Sequence, residues 1–257
     1  MTAPPQSWHL TEFAEVSSTN TVAAGLPVWS AVRADTQTEG RGRFQRAWIS
    51  DQGGLWLSAV VPCGPIAEAA RELPLLAGLA VADALLAVSS RLRVAPSSGL
   101  TLRLRWPNDL LVGPRKLAGL LVDQFVPERA VIGIGVNVTN DPAARATSLA
   151  GQVITLQKLL APAEPPPLTQ LAALVLAHLR AVLDAHATSG MATLTPRINA
   201  LWDGPRPVLL DLDGPIVTGE FLGVDTGGRL QLRLAGGTTQ LFEPHQVRLL
   251  REMTNDE

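Results

Sequence analysis

Residues 40–48 read GRGRFQRAW. Arg41, Arg43 and Arg46 fall within one short run, Gly40 and Gly42 lie among them, and Trp48 closes it. Backbone N–H groups beside glycine can approach a phosphate closely. Arginine forks match phosphate or carboxylate oxygens two at a time. The run therefore suits a small anionic ligand, although a solvated loop or an RNA-touching Arg/Gly segment would read the same. A second group is WPND, 106–109. Pro107 keeps Trp106 extended and ends a strand. Asn108 can hold a phosphate oxygen and Asp109 can orient a neighbour or a metal, unless the four residues are only a turn. Lys116 opens the run RKLAGLLVD as a point charge for a reacting phosphate or carboxylate; a strand-edge lysine that discourages aggregation is the bland reading. In VIGIGVNV, 131–138, alternating glycines let another group approach, and Asn137 follows on the same strand. Ser18, Thr19 and Asn20 of SSTN, with Gln37, can read a neutral polar ring by hydrogen bonds, or the SSTN stretch can be a plain helix cap.

These residues need elements to hold them. Phe13–Val16 predicts a short strand, and SSTN the cap of a helix. Val28–Ala34 and Leu55–Val61 predict strands on either side of the long polar loop that carries the arginines. Residues 71–90, apolar nearly all round, predict a buried helix. The alternation in LTLRLRWPND predicts a half-buried strand. Lys116–Phe125 and Ala130–Val138 predict two more, joined as a hairpin by VPERA. Two short helices, a break at APAEPPP and a longer helix over Leu168–His186 follow. After the break WDGPRP come four β-runs, Val208–Asp211, Ile216–Val224, Arg229–Leu234 and Thr238–Glu243, with glycine-rich turns. The reading is α+β: a catalytic unit over 1–204, with a mixed central sheet and flanking helices, and a small SH3-like barrel over 205–257.

Composition narrows the classes. The 257 residues are 46% hydrophobic and 17% charged, with a formal net charge of −2. That is a globular profile with no global basic field for DNA or an anionic membrane. The single cysteine, Cys63, suits a reducing cytoplasm. The opening MTAPPQSWHL lacks the pattern of a secretory leader. Leu73–Val88, the most apolar stretch, is shorter than the ~20 residues a bilayer requires. Of 21 basic residues only Lys116 and Lys158 are lysine, so arginine was acceptable almost everywhere else. No Walker A loop, HExxH zinc helix, GxSxG elbow or Rossmann fingerprint occurs.

The order SSTN, Q..GRGR..R.W, WPND, RKLAG, GIGVN resembles the biotin–protein ligase family over nearly the whole chain. That resemblance implies the biotin/lipoate ligase catalytic fold. It implies an enzyme that joins biotin to ATP with Mg²⁺, forming biotinyl-5′-AMP, and passes biotin to a lysine on the carrier domain of acetyl-CoA carboxylase or another biotin-dependent carboxylase. Ser18, Thr19, Asn20 and Gln37 would then surround the biotin ring. Gly40, Arg41, Gly42, Arg43 and Arg46 would belong to a loop folding over biotin and the adenylate. Lys116 would contact the biotin carboxylate and the α-phosphate. Asn108 and Asn137 would lie on the nucleotide side, Trp48 by the adenine, and Asp109 would position the reacting groups, with Arg248 reaching back to ATP. Metal ligands are not assigned. Gln45 stands where the family often has a third glycine, and Ala47 where a basic residue often precedes the tryptophan. SSTN at residue 17 leaves no room for the DNA-binding winged helix some members carry, so the expectation is a cytoplasmic ligase that binds neither DNA nor membrane. Exposed sheet edges allow a homodimer. A lipoate or octanoyl ligase of the same fold, or a biotin-binding regulator without catalysis, are the alternatives.

Overall fold

A computed structural model describes residues 7–92, 101–126, 128–202 and 204–253, without the side chains of 124 and 125. The first six residues of the opening stretch, residue 127 of the VPERA turn and residue 203 of the WDGPRP break lie outside the described residues. The first sheet has seven strands: β1 (His9–Val16), β2 (Ser30–Gln37), β3 (Leu55–Pro62), β4 (Leu102–Arg105), β5 (Asp109–Val112), β6 (Arg115–Val126) and β7 (Arg129–Val136). Their order is β1-β2-β3-β7-β6-β5-β4. β1 pairs with β2 in parallel and every other pair is antiparallel. The mixed sheet with flanking helices stands as the sequence predicts.

Strand alternation divides the side chains between two faces. From β7, Ile132, Ile134 and Val136 enter the main core with Leu55, Leu57 and Ala59 of β3. They pack beneath two helices, α2 (Ile66–Arg91) and α5 (Leu168–Ala200), which also pack on each other. Val131, Gly133 and Gly135 point the other way. There Val131 joins Val32, Val60 and Ala23 under the short helix α1 (Thr19–Ala23). The glycines leave the rest of that face open.

Several boundaries differ from expectation. The buried helix is 26 residues long rather than twenty. By length and composition both α2 and α5 could cross a bilayer, but the most apolar window of α2 is 72% buried within this fold, as in a core helix. α5 continues past His186 to Ala200 with a bend at Gly190, whose φ of 73° is left-handed. Burial of Met191, Leu194 and Ile198 overrides the weak helix propensity of that stretch. Two short helices, α3 (Pro142–Arg145) and α4 (Leu156–Leu160), precede it.

The C-terminal strands are β8 (Arg206–Asp211), β9 (Ile216–Val224), β10 (Leu230–Arg233), β11 (Thr239–Phe242) and β12 (Leu249–Glu252). Their order, β11-β10-β9-β8-β12, is that of an open antiparallel sheet, and no pairing among the described residues closes it into the expected barrel. β12 was not anticipated. It pairs with β8 from Leu249↔Asp211 to Glu252↔Val208. The two sheets share no strand, yet their apolar side chains form one cluster. Trp202 meets Phe221 edge-on at 4.0 Å, Trp106 Nε1 donates to the Gly228 carbonyl at 3.1 Å, and Arg103 pairs with Glu252 at 2.9 Å.

Candidate functional site

A cleft of about 700 Å³ lies over the open face of β6 and β7. Its floor is glycine because nothing larger fits. A Cβ on Gly133 would come within 2.5 Å of Asn20 Oδ1, and one on Gly135 within 2.8 Å of the Trp48 ring. A Cβ on Gly119, which pairs with Gly135 across the strands, would meet the Trp48 ring and Lys116 Cε at 3.0 Å. The walls are the N-terminus of α1, the 40–48 loop, the turn between β4 and β5, the segment from Pro142 to Val153, and residues 247–251. Every residue given a site role from sequence lines the cleft except Gly40.

One end is polar and nearly neutral. The Gln37 carbonyl accepts from Thr19 N at 2.8 Å and Thr19 Oγ1 at 3.0 Å, and its amide donates to Ser50 Oγ at 2.8 Å. Ser18 does begin α1, but its side chain makes no capping bond. Gln37 from β2 accepts instead from the Thr19 N–H, one of the donors a helix start leaves unpaired, so that end is served through tertiary structure. Ser58 Oγ sits 2.7 Å from Thr19 Oγ1 and 2.6 Å from Asn20 Oδ1, and Asn20 Nδ2 donates to Asp123 at 2.8 Å. Asn20 is thus held over Gly133 in a fixed orientation.

The rest of the lining is strongly cationic. Arg41, Arg43, Arg46, Arg105, Lys116, Arg248 and Arg251 line the cleft, and Asp109 is the one carboxylate among the described lining residues. Lys116 Nζ lies 2.5 Å from Asp109 Oδ1 and 4.8 Å from the centre of the Trp48 ring. Arg105 reaches the other oxygen of Asp109 at 2.7 Å. Burial would push the Asp109 carboxyl up, but Lys116 and Arg105 outweigh it and hold it below the usual carboxylate range. The backbone of Lys116 is clamped by the segment after α3: its N–H donates to Gln152 O, and its carbonyl accepts from Ile154 N. Asn137 is aimed by Asn140, whose amide donates to Asn137 Oδ1 at 3.0 Å. Asn108 donates to Leu120 O at 2.7 Å, pinning the WPND turn to β6.

The 40–48 loop is a narrow hairpin. Trp48 N donates to Gly40 O and Gly42 N to Arg46 O, each at 2.8 Å. Its glycines act differently from expectation. Gly40 is buried at the hairpin base, where a Cβ would meet Trp48 O and Ser50 Oγ at 2.4 Å. Close packing, not ligand contact, demands glycine there. The left-handed backbone falls instead on Phe44 and Gln45, at φ 55° and 58°. Arg43 Nη2 donates to the carbonyls of Pro244 at 2.5 Å and Val247 at 3.1 Å, tying the hairpin tip to the second sheet. Burial pushes its guanidinium pKa down, against the pull of Asp109. Arg41 donates to Thr21 Oγ1 at 3.1 Å, and Arg248 makes a loose, exposed pair with Asp213 at 3.3 Å.

With this geometry in place, the chain was compared with known proteins. The model of the biotin/lipoate A/B protein ligase family matches residues 13–137, the stretch that holds SSTN, GRGR, WPND, RKLAG and GIGVN. Residues 13–137 carry the domain of that family. Family relatives include the biotin--[acetyl-CoA-carboxylase] ligase of Mycobacterium tuberculosis, 36% identical over 50% of this chain and 49% of that protein. The bifunctional ligase/repressor BirA of Escherichia coli is 31% identical over 79% of this chain and 61% of its own length. The chain spans only 42% of the BirA of Bacillus subtilis, at 33% identity. In fold it resembles the Aquifex aeolicus biotin protein ligase solved with biotin and ATP: TM-score 0.79 and 23% identity, covering 95% of this chain and 99% of that one. The Leishmania major biotin protein ligase in complex with biotinyl-5-AMP aligns with TM-score 0.64 at 25% identity, over 94% and 100% of the two chains.

Within the family motifs, sequence reading missed Arg105. It looked like the polar half of a strand alternation, although it directly precedes WPND. Phe44, Arg251 and the lining residues Ser148 to Gln152 were missed as well. Phe44 lies inside the GRGRFQRAW run itself; nothing local marks the others, which reach the cleft through chain crossings.

Proposed function

We propose that this protein activates biotin with ATP and transfers it to a lysine of a carboxylase's biotin carrier domain. The observation that carries the reading is one cleft lined both by a neutral polar cluster, Ser18, Thr19, Asn20 and Gln37, and by seven cations, two of which, Arg105 and Lys116, share the carboxylate of Asp109. A ring with amide-like donors and acceptors suits Thr19, Asn20 and Gln37, and a polyphosphate suits the arginines and Lys116. The names of the relatives, biotin--[acetyl-CoA-carboxylase] ligases among them, point the same way.

In the first step a biotin carboxylate oxygen attacks the α-phosphorus of ATP; an O–P bond forms and pyrophosphate leaves. Lys116 and the arginines offset the charge that develops on the phosphoryl oxygens. In the second step a lysine amine attacks the acyl carbon, AMP leaves with the bonding pair, and the amine loses a proton. Binding both substrates on one glycine floor supplies alignment. The hairpin, with Arg43 drawn to the second sheet, keeps water from the mixed anhydride. Asn108, Asn137 and Arg248 are assigned to the nucleotide side and Trp48 to the adenine. Among the described residues no group of three or more His, Cys, Asp or Glu could cage a metal, so magnesium is taken as part of the nucleotide substrate.

The family also includes lipoate ligases. The hydrogen-bonding side chains of Ser18, Thr19, Asn20 and Gln37 favour biotin's polar ring over an alkyl chain. Thermal-shift titration with biotin and with lipoate separates the two. The deciding experiment is incubation with biotin, MgATP and a biotin carrier domain, read by mass spectrometry. A gain of one biotin mass is expected; its absence removes the ligase reading. We place the protein in the cytoplasm and take 205–257 as a second unit that completes the cleft.

A further inference from the structure

Among the cleft arginines Arg105 stands apart, because it shares Asp109 with Lys116. The two are register partners across the β4–β5 hairpin, Arg105↔Asp109, and the carboxylate bridges both cations, one per oxygen. The Asp109 side chain is 14% exposed, whereas Arg105 and Lys116 are 27% and 26% exposed and open to the cleft. Arg43 also acts on Asp109 through its charge, but its Nη2 is turned to the carbonyls of Pro244 and Val247. A lysine bound to a shielded carboxylate cannot at the same time bind a ligand oxygen with that proton. To reach an incoming carboxylate or phosphate it must loosen from Asp109. Leaving a shielded carboxylate without a cation is costly.

We infer that Arg105 is a positioning residue that keeps Asp109 neutralised, so that Lys116 is free to turn from the carboxylate to the ligand. Arg105 itself need not touch the ligand. Without it, Lys116 is the only cation among the described residues in direct contact with Asp109, and it stays paired. The consequence for adenylate formation rests on the ligase reading; the release of Lys116 does not.

The chain offers a direct readout because Lys158, the one other lysine, is exposed and serves as internal reference. Competitive acylation of the full chain with acetic anhydride, followed by peptide mass spectrometry, gives the Lys116:Lys158 labelling ratio. Arg105→Gln should lower that ratio by about tenfold, the scale of one charge-assisted hydrogen bond. Arg105→Lys should restore most of it. In an Asp109→Asn background the same Arg105→Gln change should have much less effect. An unchanged ratio in Arg105→Gln, or an equal loss with and without Asp109, overturns the inference. Biotin-dependent ATP–pyrophosphate exchange provides the second arm: Arg105→Gln should lower kcat more than it raises the KM for ATP. If wild type shows no exchange, the ligase reading fails while the labelling ratio still decides the role of Arg105.

Discussion

At the scale of single residues, charge placement governs the site. Lys116→Met should abolish biotin-dependent pyrophosphate release with little change in fold. It removes a cation worth about 2–4 kcal/mol to a developing oxyanion. Circular dichroism together with pyrophosphate assay checks it, and near-normal turnover by a folded variant would refute the assignment. Arg43→Gly cuts both bonds to the second sheet. It also adds backbone freedom beside two residues already in left-handed conformation. The variant should still form the adenylate but release it, about tenfold faster or more. Adenylate off-rate and biotinylation of bystander proteins are the measurements; an off-rate equal to wild type contradicts the latch.

At the scale of elements, the glycine floor and the β4–β5 hairpin matter most. Gly133→Ala places a methyl group at 2.5 Å from Asn20 Oδ1, so α1 must shift or Asn20 must leave Ser58 and Asp123. Biotin binding by calorimetry should weaken at least about tenfold, the factor that one disrupted polar contact carries, with a smaller effect on ATP. The hairpin has a pH signature. The Asp109 carboxyl is depressed in the folded state. Its stabilising contribution is therefore complete above its unfolded value, about 3.9, and is lost as pH falls through the lower folded value. Urea midpoints of wild type and Asp109→Asn should differ at pH 6 and converge below about pH 4. A constant gap across that window would show that the carboxylate's charge does not support the hairpin. The motifs of these elements were legible in the sequence: the alternation of LTLRLRWPND marks β4, and GIGVN marks a thinned strand. Their assembly was not, since Gly119 and Gly135 are partners only through the β6–β7 register.

At the scale of the whole molecule, one apolar cluster joins both sheets. A chain ending at residue 204 would strip Phe221 from Trp202 and the Gly228 carbonyl from Trp106. It would also remove Arg43's two acceptors. Exposed aromatic surface of that size costs several kcal/mol, of order 2–3 per large side chain. The truncated chain should melt well below the intact protein and lose adenylate retention. Thermal unfolding and size-exclusion chromatography test this; an equal melting temperature would make the second sheet independent of the first.

The sequence by itself determined the α+β class, the main strands of the first sheet, and a set of motifs whose order marks the family. Those features are local: period-two alternation, proline and glycine punctuation, and rare residue types such as Lys116 each act within a few positions. Tertiary structure alone decided that Gln37 rather than Ser18 serves the start of α1 and that Gly40 is a packing glycine. It also decided that the C-terminal sheet stays open, that Arg43 binds carbonyls of the β11–β12 connection, and that Arg105 shares a carboxylate with Lys116. Each of these depends on groups brought together by chain crossings, as Arg43 and Val247 are across a separation of 204 residues. No local pattern encodes such a partner.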